Sequence, residues 1–315
     1  MSRSCQYIFS LLSILSFFAV LGKPPAIKRK ELEKRKQRQE KAIKDLKEAE
    51  TAADMAKYEK QVKHVTKEHA EQVKTMLQLM GVSVIQAPEE AEAQCAYLAK
   101  SNIVDFVYTE DMDALTFGTP LLLRKASSTS STSLAQINLQ TVLDTLKWSM
   151  AQFIDFCILC GCDYTETVKG IGPARAQEAI TLHKSIEAWL AATTNLDAKG
   201  MDYKSARREF EGPVVHLLNS EECKVKFNTT IDETALRAFL MQYKFQDARI
   251  TKGLIRLKEA KRKLNQTSLG LKPNAKFASY TTIKKHTLKN EEEKTLPLKK
   301  VKISKQVESA EAKEV

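Results

Sequence analysis

The chain has 315 residues, with 50 Lys and Arg against 39 Asp and Glu, which gives a formal net charge of +11 and an isoelectric point near 9.2. A hydrophobic content of 43% excludes a wholly disordered chain, and the length allows one large domain or two small ones. The positive charge favours a polyanionic partner such as nucleic acid, although a soluble protein with a basic tail would have the same composition.

The first 21 residues differ from the rest of the chain. Arg3 precedes an apolar run from Ile8 to Leu21, which has the pattern of a secretory signal or a short membrane anchor but is too short to predict a full membrane span. Secretion would be unusual for a basic protein with unpaired cysteines. We therefore favour a segment produced by a wrong start or an alternative first exon.

The region from Lys23 to about Lys74 is predicted to be helical, because it has almost no Gly or Pro after Pro25 and is rich in Lys, Glu, Ala and Gln. Its beginning is strongly basic between Lys28 and Arg38. Such a concentration of like charge suits contact with phosphates, and an ordinary solvated helix face is an equally good explanation.

Short strands and helices then alternate, which predicts an α/β fold. We expect a strand at 82–85, a helix at 87–100 that opens at Pro88, and a strand at 104–109. A polar segment between Arg124 and Leu134 is predicted to be a loop that separates the sheet from a more helical second half.

Carboxylates form three short clusters along this region. Oxygen-only clusters are what hard divalent cations such as Mg²⁺ need, and two such cations can drive phosphodiester hydrolysis. Two acids one residue apart in an extended segment project to the same side, whereas acids in the first turn of a helix are also explained by the helix dipole. The three clusters are Glu90 with Glu92, Asp111 with Asp113, and Asp163.

The apolar run from Ala151 to Cys160 predicts a helix that ends at Gly161 and delivers Asp163 just beyond its end. The cysteines around it do not have zinc-site spacing, so we interpret them as buried apolar residues of a protein from a reducing compartment. The cysteines of the chain are Cys5, Cys95, Cys157, Cys160, Cys162 and Cys223.

The sequence VKGIGPARA, from Val168 to Ala176, is typical of a turn that binds a DNA backbone. Gly170 and Gly172 permit close backbone approach, and a helix N-terminus that follows can present amide groups to a phosphate. Lys169 and Arg175 add positive charge beside the turn. A plain turn between two helices is the alternative.

Together these motifs resemble the flap endonucleases, a branch of the structure-specific 5′ nucleases. The resemblance rests on GKPP at Gly22, EEAEA at Glu89, TEDMDALTFG at Thr109 and the run from CDY to GIGP, and it covers Gly22 to about Lys263. It implies a parallel-sheet nuclease core, a helical arch, and a helix–two-turn–helix element with a bound K⁺. The implied activity is cleavage of branched DNA with a 5′ flap, with 5′-3′ exonuclease activity and two Mg²⁺ ions, in replication and base-excision repair.

The resemblance also assigns roles to individual residues. It implies that Lys28 and Arg35 engage the scissile phosphate, and that the GIGP turn grips duplex DNA through Lys169, Gly170, Gly172 and Arg175. The metal-binding carboxylates that it implies are Glu90, Glu92, Asp111, Asp113 and Asp163.

The chain departs from the family pattern at its beginning. The family has a metal-binding Asp before GKPP, where this chain has Leu21, and the upstream segment with the first strand and another such Asp is replaced by the apolar run. We therefore predict an incomplete N-terminal core with one strand missing and apolar surface exposed. The alternative function is a DNA-binding protein that holds flaps without cutting them.

The tail from Lys258 is predicted to be disordered. The resemblance also implies binding to the replication sliding clamp through a Gln, an aliphatic residue and two aromatic residues. That motif is degenerate here, with Gln266 and Leu269 present but Lys272 and Pro273 in the aromatic positions, so the sliding clamp is a candidate partner with a weakened motif. Basic patches at Lys261 and Leu298 are typical of nuclear-import signals, and a solvated tail is the alternative. We expect a nuclear protein. We also expect a monomer and no membrane partner. The predicted regions are 1–21 (apolar), 22–80 (arch), 81–165 (metal carboxylates), 166–257 (helix–two-turn–helix and C-terminal helices) and 258–315 (tail).

Overall fold

The alternation of short strands and helices expected from the sequence is present in a computed structural model, which describes residues 17–20, 22–49, 51–62, 66–125, 134–193, 198–223 and 230–268. The strands are β1 (Phe17–Val20), β2 (Ser83–Gln86), β3 (Val107–Tyr108), β4 (Leu121–Lys125) and β5 (Leu134–Asn138). The helices of the first half are α1 (Arg29–Lys47), α2 (Ala52–Val62), α3 (Lys67–Leu79), α4 (Ala91–Lys100) and α5 (Asp113–Thr116). Those of the second half are α6 (Leu139–Leu146), α7 (Met150–Cys160), α8 (Pro173–His183), α9 (Ile186–Ala192), α10 (Tyr203–Glu211), α11 (Glu233–Gln242) and α12 (Asp247–Ser268).

The described strands form two small sheets. Strands β1 and β2 pair in parallel, with Phe17 opposite Ser83 and Val20 opposite Gln86. Strand β3 pairs in parallel with β4, and β4 pairs antiparallel with β5. The parallel pairs agree with the predicted parallel-sheet core. We had expected the segment between Arg124 and Leu134 to end the sheet region, and this was wrong, because β5 follows the segment and pairs with β4 in the same sheet. Residues 126–133 lie outside the described residues.

Strand β1 shows that the end of the apolar run supplies a strand of the sheet. The prediction that the family's first strand is missing concerns the segment upstream of β1, and residues 1–16 lie outside the described residues. The last part of the apolar run provides a parallel partner for β2, and the chain then passes very close to the start of α4. Gly22 N donates to Glu89 O at 2.8 Å, and Lys23 N donates to Pro88 O at 3.0 Å. A Cβ on Gly22 would lie 2.1 Å from the Ala87 carbonyl oxygen, so this crossing requires glycine.

The basic region from Lys23 to Lys74 is helical as predicted, but it is divided into separate helices. Helix α1 packs on α2, so these two helices form a hairpin. Helix α3 begins with a capping box in which the Thr66 hydroxyl and the His69 ring each bond the other residue's backbone N–H. It then buries Leu77 against Leu254 and Leu257 of α12, so α3 and α12 share one apolar cluster.

The second half packs around a larger apolar cluster. Ile158 of α7, Ile180 of α8 and Ile186 of α9 are almost completely buried, and Trp148 packs at the start of α7. This cluster fixes the segment after α7, where Asp163 lies, against the helix that follows the GIGP turn. Helix α7 ends at Gly161, with a φ of 114°, as the sequence predicted.

Several boundaries differ from the sequence prediction. Strand β3 contains only Val107–Tyr108, and α4 begins at Ala91 rather than at 87. Helix α12 continues to Ser268, because good helix formers such as Lys, Glu and Ala follow Lys258; the predicted disorder of the tail is therefore wrong up to that residue. The chain divides into two units after Leu257, and the described part of the second unit is the last portion of α12.

Some predictions fall on residues that the structure does not describe. They concern Leu21, most of the apolar run, and the clamp-binding positions Leu269, Lys272 and Pro273; for Gln266 only the helical backbone is described. Within the described ranges, none of the helices combines the length and the apolar character that crossing a bilayer requires.

Candidate active site

The centre of the candidate site is the ammonium group of Lys28, the N-cap residue of α1. Lys28 Nζ donates to Glu90 Oε1 at 2.7 Å and lies 3.1 Å from Asp163 Oδ2. Its side chain is only 13% exposed. Burial opposes the charge of Lys28, but the contacts with Glu90 and Asp163 outweigh it and raise the pKa of Lys28. The sequence places these residues far apart, and the fold joins them.

Arg35 lies two turns further along α1 and holds the same carboxylate. Its Nη2 donates to Asp163 Oδ1 at 2.7 Å and to Oδ2 at 2.8 Å. Arg35 Nε donates to Glu31 Oε1 at 3.1 Å. Burial lowers the pKa of Arg35, yet the attraction of Asp163 and Glu31 raises it overall. Both predicted arch cations therefore converge on the carboxylate that follows α7.

Glu90 and Glu92 are placed by the start of α4. Glu90 is the N-cap residue and is 7% exposed, and its side chain makes no capping hydrogen bond, so it is free to bond Lys28. Glu92 lies in the first helical turn. Burial, followed by repulsion from Asp111 and Glu90, raises the pKa of Glu92. The helix dipole alone therefore does not explain these two acids, because Glu90 bonds Lys28 and Glu92 lies among other carboxylates.

Asp111 and Asp113 lie at the carboxyl end of β3, as predicted, but not in an extended segment. Asp113 N donates to Asp111 Oδ1 at 3.0 Å, and Met112 has helical torsion angles, so the chain turns directly into α5. Burial, with repulsion from Asp111 and Asp163, raises the pKa of Asp113 to about 7. Asp113 therefore belongs to the same electrostatic cluster as Asp163.

The carboxylate cluster formed by these acids has the donor chemistry of a site for hard divalent cations. Its members are Glu90, Glu92, Asp111, Asp113 and Asp163. All of its acidic donors are carboxylate oxygens, and their mutual repulsion is what a bound cation would relieve. Among the residues that the structure describes, no group of three acidic, histidine or cysteine side chains converges closely enough to hold a metal ion. Lys28 and Arg35 instead neutralise Glu90 and Asp163, so a bound cation would have to take these oxygens from Lys28 Nζ and Arg35 Nη2.

The GIGP turn, residues 170–173, leaves its backbone accessible on one side. Gly170 has a φ of +84°, a conformation that favours glycine, and Ile171 N closes the turn on Val168 O at 3.1 Å. Gly172 is the N-cap of α8, and Pro173 follows at the first helical position, as predicted. A Cβ on Gly172 would have no atom within 4 Å, so this side of the turn is open.

The charged residues of the turn differ in their contacts. Lys169 is exposed. Arg175 is also exposed, but its Nη1 donates to the Gly170 carbonyl at 2.9 Å, so its guanidinium braces the turn. The structure brings Lys169, Gly170, Gly172 and Arg175 together in one turn, separate from the direct carboxylate contacts of Lys28 and Arg35.

Sequence reasoning missed several residues near the site. Tyr164 is buried, and burial, with the negative charges around it, raises its pKa. Glu209 of α10 lies near enough to Glu89 and Glu90 that, with burial, they raise its pKa. Tyr164 directly follows Asp163, which was a usable signal. Glu209 had none, because only the tertiary fold brings α10 to α4.

The cysteines near Asp163 are free and partly buried. Burial raises the pKa of Cys157 to about 12 and the pKa values of Cys160 and Cys162 to about 11, with further effects of nearby groups at Cys157 and Cys162. A thiol that stays protonated is a poor zinc ligand and a weak nucleophile. Their surroundings are consistent with an apolar structural role.

Residues 81–163, which contain all the carboxylates of the cluster, match the XPG I-region family. The chain is 41% identical to Flap endonuclease 1 of Theileria parva over 283 residues, which are 85% of this chain and 56% of that protein. For this and three similar flap endonucleases, the chain spans between 56% and 65% of their length.

Solved structures give the same relationship. Flap endonuclease-1 from Methanococcus jannaschii is 30% identical, with a TM-score of 0.59 over 81% of this chain and 79% of that one. The catalytic core of Rad2 in complex with a DNA substrate is 22% identical, with a TM-score of 0.61 over 80% and 82%, and this likeness concerns the fold alone. The predicted α/β 5′-nuclease core is confirmed, and the chain belongs to the flap endonuclease family.

Proposed function

We propose that this protein is a structure-specific 5′-flap endonuclease and 5′-3′ exonuclease that hydrolyses phosphodiesters of DNA. The observation that carries the proposal is the convergence of Lys28 and Arg35 on Glu90 and Asp163, which brings two basic side chains to the carboxylate cluster. Basic side chains in this position are suited to bind a phosphate. Family membership, and the DNA bound by the Rad2 core, support the same substrate class.

The carboxylate cluster would hold two divalent cations, and we propose Mg²⁺ because every donor is an oxygen. When bound, the cations would activate a water molecule and offset the charge of the departing 3′ oxygen. The residues that would hold them are Glu90, Glu92, Asp111, Asp113 and Asp163. This reaction needs no side-chain nucleophile.

Lys28 and Arg35 have two roles in this proposal. Without substrate, they offset the charge of Glu90 and Asp163. When a phosphate arrives, the same ammonium and guanidinium groups bind its oxygens and offset the charge that develops there. Because Lys28 Nζ and Arg35 Nη2 lie within 3.1 Å of the carboxylates, a phosphate bound by them would lie beside the oxygens proposed to hold the metal ions.

The GIGP turn would hold the duplex beside the cleavage site. The open side of Gly172 and the exposed charge of Lys169 suit a sugar–phosphate backbone that approaches the N-terminus of α8. We also propose that this turn would bind K⁺. We further propose a monomer in the nucleus, which the basic patch at Lys261 supports. The sliding clamp stays a candidate partner, with a degenerate motif.

The test compares binding and cleavage side by side. A duplex with a fluorescent 5′ flap is mixed with the parent chain, with Asp113→Asn, and with Asp105→Asn, an exposed acid outside the cluster. We expect Mg²⁺-dependent release of the flap by the parent and Asp105→Asn, and a rate about 100-fold lower for Asp113→Asn. Normal cleavage in excess EDTA would refute the proposal.

The competing function is a protein that binds flaps without cutting them. It is favoured by one observation, the Leu21 that precedes Gly22 where the family has a metal-binding Asp. Tight binding of the flap duplex by the parent, with no product in Mg²⁺ or Mn²⁺, would establish it. Cleavage restored by a family-type N-terminus in place of residues 1–21 would then locate the deficit.

A further inference from the structure

Glu31 is a sheltered acid on a predominantly basic helix, α1. Its side chain is 22% exposed, whereas those of its partners Arg35 and Arg38 are 51% and 73% exposed. Glu31 Oε1 accepts from Arg35 Nε at 3.1 Å and lies 3.7 Å from Arg38 Nη1. One carboxylate therefore contacts both arginines on the face of α1 that carries Arg35.

The geometry of the guanidinium group makes the contact with Arg35 directional. Its donors lie in one rigid plane, so holding Nε fixes the direction of both Nη groups. With Nε bonded to Glu31, Nη2 reaches both oxygens of Asp163 at 2.7 and 2.8 Å. A long arginine side chain otherwise has many rotamers. Glu31 thus selects the rotamer in which Arg35 faces the carboxylate cluster.

We propose that Glu31 is a positioning residue that aims the Arg35 guanidinium at the scissile phosphate; this rests on the proposed function. Glu31 touches neither the substrate nor the reacting atoms and acts through Arg35. An ordinary surface pair on the same helix provides the contrast: Lys36 and Glu40 are 3.9 Å apart and 66% and 62% exposed, and Glu40 contacts no described residue of the site.

The test compares Glu31→Gln with Glu40→Gln, since each removes one charge from α1. Removing an acid near DNA leaves affinity for the flap duplex unchanged or tighter. We expect Glu31→Gln to lower the single-turnover cleavage rate about 10-fold without weaker DNA binding, because Arg35 is misaimed. Glu40→Gln retains the parent rate. Equal rates for the two variants would overturn the proposal.

Two further measurements show whether the effect passes through Arg35. In an Arg35→Ala background, Glu31→Gln should cause no additional loss, and an undiminished 10-fold loss there would contradict the proposal. In ¹⁵N-arginine-labelled protein, the Arg35 Nε–H signal should show slow exchange and low mobility, both lost in Glu31→Gln but kept in Glu40→Gln.

The NMR signal also separates this inference from the proposed function. If the parent chain cuts no flap substrate, the proposed function fails, and the Arg35 Nε–H signal alone decides the positioning role. A signal that remains ordered in Glu31→Gln refutes that role. A signal that becomes mobile in this variant alone supports it.

Discussion

At the scale of single residues, Lys28 lies among the carboxylates of the proposed metal site. It is mostly buried and lies between Glu90 and Asp163, whose charges it offsets. If these oxygens bind a metal ion as proposed, the ammonium group competes with it for them. The affinity of the proposed site for metal would then depend on a residue that is not a ligand.

We predict that Lys28→Met binds Mg²⁺ about 10-fold more tightly than the parent, because the uncompensated carboxylates attract the cation more strongly. Cleavage should nevertheless fall, since the phosphate loses its ammonium partner. Calorimetric titration of the protein with Mg²⁺, without DNA, measures the affinity. Lys30→Met is the control, because Lys30 is 77% exposed and lies 3.8 Å from Glu166 instead. Unchanged affinity in Lys28→Met would show that the contacts do not compete.

Asp113 predicts a pH dependence of stability in the absence of divalent cations. Its pKa is raised to about 7 in the folded chain, from 3.8 without the fold. The folded state therefore keeps a proton that the unfolded state has lost between about pH 4 and 7, and stability falls as the pH rises through this window. We expect Asp113→Asn to remove about 2 kcal/mol of this decline. Urea unfolding in EDTA at pH 5 and pH 8 measures it, and an identical decline in the variant would exclude Asp113 as its source.

At the scale of helices, a buried ion network joins three elements of the second half. Asp155 of α7 is 3% exposed and accepts from Ile186 N at the start of α9. Arg207 of α10 donates to Asp155 and also to Glu187, with distances between 2.8 and 3.0 Å. Burial raises the pKa of Asp155, against the lowering effect of these donors. The network holds α7, and with it the segment of Asp163, against α9 and α10.

We predict that Arg207→Met destabilises the fold by about 3 kcal/mol, because it leaves the Asp155 carboxylate buried without its cation. Arg208→Met is the matched control, since Arg208 is exposed and bonds only Ser205 among the described hydrogen bonds. Urea unfolding midpoints measure both. A loss no larger than that of the control would mean that the network does not stabilise the protein.

The two glycines of the GIGP turn should respond differently to alanine. Gly170→Ala forces a side chain into a positive φ and should cost about 1 kcal/mol of stability. Gly172→Ala meets no protein atom, so the fold should tolerate it while the added methyl keeps DNA phosphates away from the helix N-terminus. Thermal unfolding and duplex binding, measured on both variants, check this. Undisturbed DNA binding by Gly172→Ala would argue against backbone approach on that side.

The predictability of these elements follows from the range of the interactions that form them. The end of α7 and the start of α8 were predicted closely, because Gly161, Gly172 and Pro173 are local signals. The turn of Asp111 and Asp113 was not, since their backbone-to-carboxylate bond replaces the extended form that spacing suggested. The Asp155–Arg207 network left no local signal, because its partners are distant along the chain.

At the scale of the whole molecule, the net charge of +11 suits a DNA-binding protein. The cations assigned to phosphate contact are Lys28, Arg35, Lys169 and Arg175, and each phosphate neutralised releases counterions. We predict that affinity for a flap duplex falls about 100-fold between 50 and 200 mM salt, as expected for about four phosphate contacts. Fluorescence anisotropy at constant divalent-cation concentration measures the slope, and a slope near zero would contradict an electrostatic interface.

The pairing of β1 with β2 also has a consequence for synthesis of the chain. Phe17 is translated about 66 residues before its partner Ser83, and the arch helices lie between them. At roughly 5–20 residues per second, the apolar strand waits on the order of several seconds without its parallel partner. During that interval it is open to chaperones and to neighbouring nascent chains, so the yield of soluble protein should respond to translation speed and chaperone supply more than its folded stability does.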